Sequence, residues 1–258
     1  MSIVTVKRFS VFSLLSCCFA VLSTAHAQTP TTPATPDKPK TVSYVDLRGE
    51  FSKYGLPIKP QGRRNTCQVF TFTGALEYAL ARGGGYNGLR LSEEYLNWAA
   101  DEVVGEKDDG GSYEELLQAF DNWGIASERY MPYQARYNTN LVPSQVALTS
   151  AKEIWNLGFK RHWIAQRTIN GLTVEHLNAM RKVLASGWPL CAYGHEHSIL
   201  IVGFQDDPKM PGGGQFITRN SATQRYETIF YEASKTEFGS VLWIELPEKK
   251  ATTVDGRQ

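Results

Sequence analysis

A cysteine at the beginning of a helical pattern is the residue in this sequence best suited to covalent chemistry. Cys67 follows a polar, turn-forming segment, and the residues after it are apolar at helical spacing. Asn65 or Thr66 can cap this helix, and the glycines at 83–85 end it. At such a position the backbone N–H groups and the positive end of the helix dipole stabilise a thiolate. The sequence therefore predicts Cys67 as a nucleophile, with the amide of Gln61 folding back to bind an oxyanion beside the sulfur.

A nucleophilic cysteine needs a base and a residue that orients the base. His195 and His197 lie two residues apart on a stretch predicted to be extended, so we expect both to point to the same side. His197 opens the apolar run 198–204, which would hold its ring at the mouth of a buried strand. Asn220 ends the strand pattern 215–219, and its amide would reach the ring if that strand pairs with the His197 strand. The alternative is that Asn220 simply begins a turn.

The other histidines and the other cysteine are predicted to be structural. His162 lies in a strand-like context and His176 in a helical one, with nothing reactive near either of them in the sequence. Cys191 lies in a short apolar stretch that is typical of a buried strand, where a cysteine acts as a small hydrophobic residue. A disulfide between Cys67 and Cys191 is the alternative, and it would consume the nucleophile.

Helical patterns dominate the first part of the chain and strand patterns the second. The predicted helices begin at Cys67, Ser92, Ser112, Ser144 and Thr173. The predicted strands are 159–168, 190–193, 197–204, 215–219, 228–232 and 241–246, and 42–59 is predicted to be irregular. This order predicts an α+β protein with an N-terminal helical lobe and a C-terminal lobe built on an antiparallel sheet.

The beginning of the chain predicts export. Residues 1–27 have the charged start, apolar stretch and Ala25-His26-Ala27 cleavage site of a signal peptide, with a lipoprotein site at Cys17 as the alternative. Segment 28–40 is a flexible leader rich in Thr and Pro, 41–248 is the folded domain, and 249–258 is a tail. We expect the mature protein in the periplasm or outside the cell.

Composition excludes some classes of partner. The 258-residue chain has a net charge of +1, and removal of 1–27 leaves 25 basic and 26 acidic side chains. A nearly neutral surface gives no basis for binding nucleic acid or an anionic membrane. The apolar stretch near the start is too short for a convincing membrane span.

Several motifs, taken in their order along the chain, resemble those of the papain-like cysteine peptidases. Segment 43–48, Ser-Tyr-Val-Asp-Leu-Arg, resembles the beginning of the mature family enzymes, and Gln61 precedes Cys67 by the family's interval. Gly110 and Gly111 resemble the glycine pair whose backbone binds the substrate chain.

The histidine and asparagine motifs extend this resemblance to the sheet lobe. His197 has the family's spacing to the Gly203-Phe204 pair, which His195 would break, and Asn220 lies in a motif similar to the family's asparagine motif. His197 and Asn220 follow Cys67 by 130 and 153 residues, the order and spacing expected for this family. The resemblance implies a two-lobe fold with the active site in the cleft between the lobes.

The departures from the family pattern concern the surroundings of these residues. Arg64 stands where the family has an additional disulfide cysteine, and Gln68 replaces the tryptophan after the nucleophile. Ala222 replaces the tryptophan that shields the Asn–His hydrogen bond, and a bond exposed to water is weaker. We therefore expect lower activity or different substrates.

The resemblance implies a cysteine peptidase that hydrolyses peptide bonds through a thioester. Cys67, His197 and Asn220 would form the triad, Gln61 would bind the oxyanion, and no metal or other cofactor would be needed. The expected partner is a peptide or protein substrate, and we expect a monomer. The alternatives are a cell-wall peptide hydrolase or other cysteine acyltransferase on a related plan, and a non-catalytic binding protein with the same fold.

Two arginines beside the oxyanion site leave a further question open. Arg63 and Arg64 either favour acidic groups near the scissile bond or belong to a solvated loop. The solvated loop is the simpler interpretation, because exposed charges of this kind are common on protein surfaces.

Overall fold

The computed structural model describes residues 42–247, so the predicted signal peptide, leader and tail lie outside the described residues. The helices are α1 (Arg48–Lys53), α2 (Cys67–Gly84), α3 (Glu93–Val104), α4 (Tyr113–Trp123), α5 (Gln145–Trp155), α6 (Val174–Ala185) and α7 (Tyr231–Glu237). The strands are β1 (Tyr44–Asp46), β2 (Lys160–Ala165), β3 (Leu190–Gly194), β4 (His197–Asp206), β5 (Gly214–Asn220), β6 (Arg225–Phe230) and β7 (Ser240–Glu245). Within residues 42–247, no helix combines the length and apolarity that a membrane crossing needs.

The helical lobe is built around α2, the helix that begins at Cys67. Fourteen of its eighteen residues are buried, which includes nearly every position from Cys67 to Ala81. The helix ends at Gly85, whose left-handed backbone (φ 72°) lets its N–H bond to the carbonyl of Ala81. A helix buried on all sides is held by its neighbours, so its first residue has a fixed place in the interior.

Short-range capping signals explain why the next helices begin where the sequence predicts. Ser92 caps α3 by accepting a hydrogen bond from the Tyr95 N–H. Ser112 and Glu115 form a reciprocal capping box at α4. Ser144 caps α5 in the same way through its side-chain oxygen. These predicted helix starts are confirmed.

The sheet lobe is an antiparallel sheet with the strand order β2-β7-β3-β4-β5-β6, and β1 pairs with β4. In register, Cys191 of β3 lies opposite Leu200 of β4, and Leu200 lies opposite Arg219 of β5. The predicted pairing of the His197 strand with the strand that ends at Asn220 is therefore confirmed. The predicted α+β class with a helical and a sheet lobe is likewise confirmed.

Three segments differ from the sequence prediction. The stretch 42–59 was predicted to be irregular but contains β1 and α1, because β1 pairs with β4, which is distant in the sequence. The predicted strand 228–232 ends at Phe230, and Tyr231 begins α7. His195 is not on an extended stretch, because it and Glu196 form the tight turn between β3 and β4, with φ values of 44° and 63°. The prediction of an extended stretch at His195 is therefore wrong, although His195 and His197 both line one cavity.

A hydrogen bond between Tyr113 and Ser198 joins the two lobes in the interior. Tyr113 begins α4 and its side chain is 1% exposed, and its hydroxyl lies 2.5 Å from Ser198 Oγ on β4. Ser198 Oγ donates in turn to the Ala192 carbonyl at 3.1 Å, so the tyrosine is the donor to Ser198. This chain of bonds fixes β4 against the helical lobe one residue after His197.

A buried ion cluster holds α2, α3 and the loop before Gln61 together. The Lys59 ammonium lies 2.8 Å from Glu77 Oε1 and 2.5 Å from Glu93 Oε1, and donates to the Leu91 carbonyl at 2.7 Å. Glu93 is completely buried, and burial raises the pKa of its carboxyl to about 7, although the charge of Lys59 opposes this rise. The carboxyl therefore binds a proton more tightly in the folded than in the unfolded chain.

Replacing Glu93 with glutamine should remove a pH dependence of stability. The folded pKa lies above the ordinary value of 4.5, so the contribution is fully present below about pH 4.5 and is lost as pH rises through about 7. Between these limits the free energy of unfolding of the wild type should fall by up to about 3 kcal/mol relative to Glu93→Gln. Urea unfolding at a series of pH values measures this difference.

The matched control for this measurement is Glu106→Gln, since Glu106 is exposed on the loop after α3. It should keep the pH dependence of the wild type. Parallel pH profiles for the wild type and Glu93→Gln would contradict the assignment of the titration to Glu93.

Candidate active site

Cys67 is the first residue of α2 and lies at the junction of the two lobes. Thr66 precedes it at the N-cap position, but its side chain does not cap the helix. Its hydroxyl instead lies 2.7 Å from that of Tyr133, which donates to the Gln61 carbonyl at 2.9 Å. Thr66 therefore occupies the predicted N-cap position without making a capping hydrogen bond. The backbone N–H groups at the start of α2 lie near the sulfur.

Burial and hydrogen bonding act on the Cys67 thiol in opposite directions. The residue is 8% exposed, and burial raises the pKa of the thiol above its ordinary value. The backbone N–H groups of Ser198, Gln68 and Cys67 lower this pKa, but burial outweighs them. The N–H groups at the helix start thus act on the thiol in the predicted direction, and burial opposes them. The contact with the Ser198 N–H places the sulfur beside the residue that follows His197.

His197 and Asn220 meet through the pairing of β4 with β5. His197 Nε2 lies 3.1 Å from Asn220 Oδ1. The same oxygen accepts the Ala222 N–H at 3.0 Å, so it is an acceptor and Nε2 must carry the proton. Nδ1 is then the unprotonated nitrogen of the ring, the one that can accept a proton.

The Gln61 side chain is oriented by two partners in the site. Its Oε1 accepts from Ser221 Oγ at 2.7 Å, and its Nε2 donates to the Arg64 carbonyl at 3.1 Å. Its backbone N–H also donates to the Ser221 carbonyl at 3.2 Å, which attaches the Gln61 loop to the segment after Asn220. A primary amide has two N–H donors, so the second N–H of Gln61 remains for a ligand.

The two predicted substrate-binding glycines have different surroundings. Gly110 is buried, its N–H donates to Asn97 Oδ1 at 2.8 Å, and a Cβ there would lie 2.5 Å from the Asn65 carbonyl oxygen. Its φ of 129° also favours glycine. Gly111 is partly exposed, and none of the hydrogen bonds among residues 42–247 uses its N–H. Gly110 therefore shapes the loop, and Gly111 is the one that can bind a peptide backbone.

Arg64 is neither a solvated residue nor free to bind an acidic substrate. Its guanidinium is buried, lies 2.5 Å from Glu94 and 2.8 Å from Asp109, and stacks on the Tyr133 ring at 4.5 Å. Asp109 directly precedes Gly110, so this ion pair ties the loop before Cys67 to the glycine loop. Arg63, in contrast, is exposed, as the solvated-loop interpretation predicts.

The remaining cysteine and histidines are structural, as predicted. Cys191 is completely buried, and both it and Cys67 are free, so the alternative of a disulfide between them is wrong. Burial also raises the pKa of the Cys191 thiol. His162 stacks on Trp243 at 4.3 Å, and His176 accepts a hydrogen bond from the Thr173 N–H at the start of α6.

Three residues that support the site were not identified from the sequence. Tyr113 and Ser198 couple the lobes, and Glu227 accepts a hydrogen bond from Asn220 Nδ2 at 3.0 Å. The signal for Tyr113 was its place just after the glycine pair at the beginning of a capped helix. Glu227 had no local signal, because its position depends on the register between β5 and β6.

No profile of a known protein family matches the chain. Over 174 residues the sequence is 27% identical to procathepsin L of Felis catus, and the match covers 64% of this chain and 52% of that relative. The chain thus spans about half the length of the curated relative.

Solved structures show which fold the chain has. Xylellain, a cysteine protease from Xylella fastidiosa, aligns with a TM-score of 0.60 and 16% identity over 81% of this chain and 87% of its own. The proform of the ragweed Amb a 11 cysteine protease aligns with a TM-score of 0.59 and 20% identity. This alignment covers 83% of this chain and 69% of the protease. Digestive procathepsin L 3 of Tenebrio molitor aligns with a TM-score of 0.56 and 19% identity. This alignment covers 83% of this chain and 73% of the procathepsin. The chain has the two-lobe fold of the papain-like cysteine peptidases.

Loss of the Arg64 guanidinium should destabilise the protein strongly. Arg64→Leu leaves Glu94 and Asp109 without their cation, and removing one partner of a buried pair typically costs about 3–5 kcal/mol. Arg64→Lys keeps the charge without the planar fork and should lose less. Unfolding in guanidinium chloride measures the free energy of unfolding of both variants. Arg63→Leu is the exposed control and should stay within about 0.5 kcal/mol of the wild type. An Arg64→Leu protein as stable as this control would contradict the structural role.

The two free cysteines should differ in reactivity. A thiol-directed epoxide should modify Cys67 and leave Cys191 unmodified, because Cys191 has no access to solvent. In His197→Ala, alkylation of Cys67 should slow at neutral pH and reach its midpoint at a higher pH than a free cysteine, since burial raises the pKa of this thiol. Mass spectrometry of each cysteine peptide measures both rates. Equal labelling of Cys67 and Cys191 would contradict the expectation.

Proposed function

We propose that this chain is an exported cysteine peptidase that hydrolyses peptide bonds through Cys67, His197 and Asn220. The observation that carries the proposal is the hydrogen bond from His197 Nε2 to Asn220 Oδ1, which leaves Nδ1 as the basic nitrogen of the ring. The similarity to procathepsin L and the papain-like fold support the same reaction class. Export rests on the signal pattern at 1–27.

In the first half of the proposed reaction, His197 Nδ1 takes the proton of the Cys67 thiol. The sulfur then attacks the carbonyl carbon of a peptide bond and forms a tetrahedral oxyanion. Proton transfer is needed because burial keeps the isolated thiol protonated at neutral pH. The imidazolium next gives its proton to the leaving nitrogen as the C–N bond breaks, which releases an amine and leaves a thioester on Cys67.

In the second half, water hydrolyses the thioester. His197 takes a proton from the water as its oxygen attacks the thioester carbonyl, and the carbon–sulfur bond then breaks. The products are a carboxylic acid and the free cysteine, which recovers its proton through His197. Asn220 keeps the imidazole in one tautomer and one orientation through both halves.

The oxyanion would be stabilised by donors that are already in place. The Cys67 backbone N–H and the second N–H of the Gln61 amide are the candidates, because Ser221 and Arg64 hold that amide in one orientation. A donor that is preoriented needs no reorganisation when the charge develops. The Gly111 backbone would bind the peptide on the acyl side of the scissile bond.

Hydrolysis of a protein substrate should depend on Cys67 and Gln61. Cys67→Ala should abolish cleavage of casein, and Gln61→Ala should lower kcat about 100- to 1000-fold, the usual effect of removing one oxyanion donor. Both rates are measured by release of peptides at saturating and limiting substrate. Cys191→Ala is the matched control, because it removes the other free cysteine and should keep the activity of the wild type.

The same assay separates this function from its alternatives. Digestion of peptidoglycan without digestion of casein would favour a cell-wall peptide hydrolase. A wild-type protein that cleaves neither substrate and whose Cys67 resists the epoxide would favour a non-catalytic binding protein. Casein cleavage that survives Cys67→Ala would overturn the assignment of the nucleophile.

A further inference from the structure

A carboxylate contacts the asparagine of the candidate triad on the side away from the histidine. Asn220 Nδ2 donates to Glu227 Oε2 at 3.0 Å. The other oxygen of this carboxylate accepts from Thr223 Oγ1 at 2.8 Å, which fixes the rotation of the Glu227 side chain. His197, Asn220, Glu227 and Thr223 therefore form one continuous chain of hydrogen bonds.

The β5–β6 hairpin brings Glu227 to this position. Asn220 pairs with Arg225 across the hairpin, and Glu227 pairs with Thr218. Because side chains alternate along a strand, Thr218, Asn220 and Glu227 share one face of the sheet, and Asn220 and Glu227 are diagonal neighbours. His197 lies on the same face, and all four residues line one cavity of about 380 Å³.

The hydrogen bonds of the Asn220 amide depend on one orientation. As placed, Oδ1 accepts from His197 Nε2 and the Ala222 N–H, and Nδ2 donates to Glu227. A flipped amide would direct its NH₂ group at the Ala222 N–H and its oxygen at the Glu227 carboxylate. Both contacts would be repulsive, so Glu227 acts directly against the flip.

Glu227 stands beside the position that has lost its aromatic shield. Ala222 replaces the tryptophan of the papain-like pattern, which leaves the Asn220 side without an indole cover. A hydrogen bond to a charged acceptor is roughly twice as strong as a neutral one. A carboxylate bonded to Asn220 can therefore restrain the amide where a hydrophobic cover is missing.

We propose that Glu227 is a positioning residue that holds the Asn220 amide and, through it, the tautomer and ring orientation of His197. The inference rests on the proposed function for its catalytic consequence. Its structural content, a protonated His197 Nε2 held by an oriented Asn220, can be measured without any substrate.

The kinetic test compares Glu227→Ala with Glu227→Gln. Alanine removes the acceptor, and we expect kcat on a peptide substrate to fall about tenfold, with KM and the thermal midpoint unchanged. Glutamine keeps an oxygen acceptor for Asn220 Nδ2 and should restore kcat to within about threefold of the wild type. Glu232→Ala, which removes an exposed carboxylate on α7, is the matched control and should behave as the wild type.

A spectroscopic test reports on the histidine directly. In protein labelled with ¹⁵N-histidine, the His197 Nε2–H resonance should be observed in the wild type and in Glu227→Gln. In Glu227→Ala this resonance should broaden, because Asn220 is no longer held by Glu227 and the Nε2 proton exchanges with water more readily. Thr223→Ala, which frees one oxygen of Glu227, should give a weaker effect of the same kind.

The outcomes separate this inference from the proposed function. If Glu227→Ala keeps both the wild-type kcat and the wild-type resonance, the inference is overturned. A rise in KM alone would also overturn it, because Glu227 would then contact the substrate in the cavity. If the wild type hydrolyses no peptide, the proposed function fails, and the resonance of Glu227→Ala still decides whether Glu227 positions His197.

Discussion

The contact between the beginning of α2 and the beginning of β4 is the interaction on which the candidate site depends. The Ser198 backbone N–H lowers the pKa of the Cys67 thiol, and the Ser198 hydroxyl accepts a hydrogen bond from Tyr113 of the helical lobe. All of these groups are buried, so water cannot replace a bond that is lost. Cys67 and His197, the proposed nucleophile and base, come from opposite lobes, and this polar junction holds the two lobes together within a mainly apolar interior.

Charged groups occupy two places where the papain-like pattern has other means of support. Arg64 joins the loop before Cys67 to the glycine loop through Asp109, at the position where the pattern has a disulfide cysteine. Glu227 bonds to Asn220 near the position where the pattern has a tryptophan. Ionic contacts depend on partners with the right geometry. Arg64 has two carboxylate partners, and Glu227 accepts hydrogen bonds from two side chains. At these two places the chain therefore uses charged contacts where the pattern has a cysteine and a tryptophan.

The sequence predicted those parts of the molecule that have local signals. The capping serines located the starts of α3, α4 and α5. Motif spacing selected Cys67, Gln61, His197 and Asn220 as the candidate site residues. The remainder depends on contacts between distant segments, which one sequence does not reveal. Strand β1 forms only against β4, and Glu227 reaches Asn220 only in one hairpin register. The β3–β4 turn lacked the usual Asn-Gly signal, since His195 and Glu196 occupy its positive-φ positions.

The ion pairs of Arg64 stabilise a domain whose two cysteines are both free. Residues 42–247 contain two cysteines, and both are free, so this part of the chain folds without oxidation of thiols. Cys67 and Cys191 could pair only with each other within these residues, and the folded structure keeps both as thiols. Disulfide bonding is therefore no part of what holds residues 42–247 together, and the ionic contacts of Arg64 link loops that no covalent bond joins.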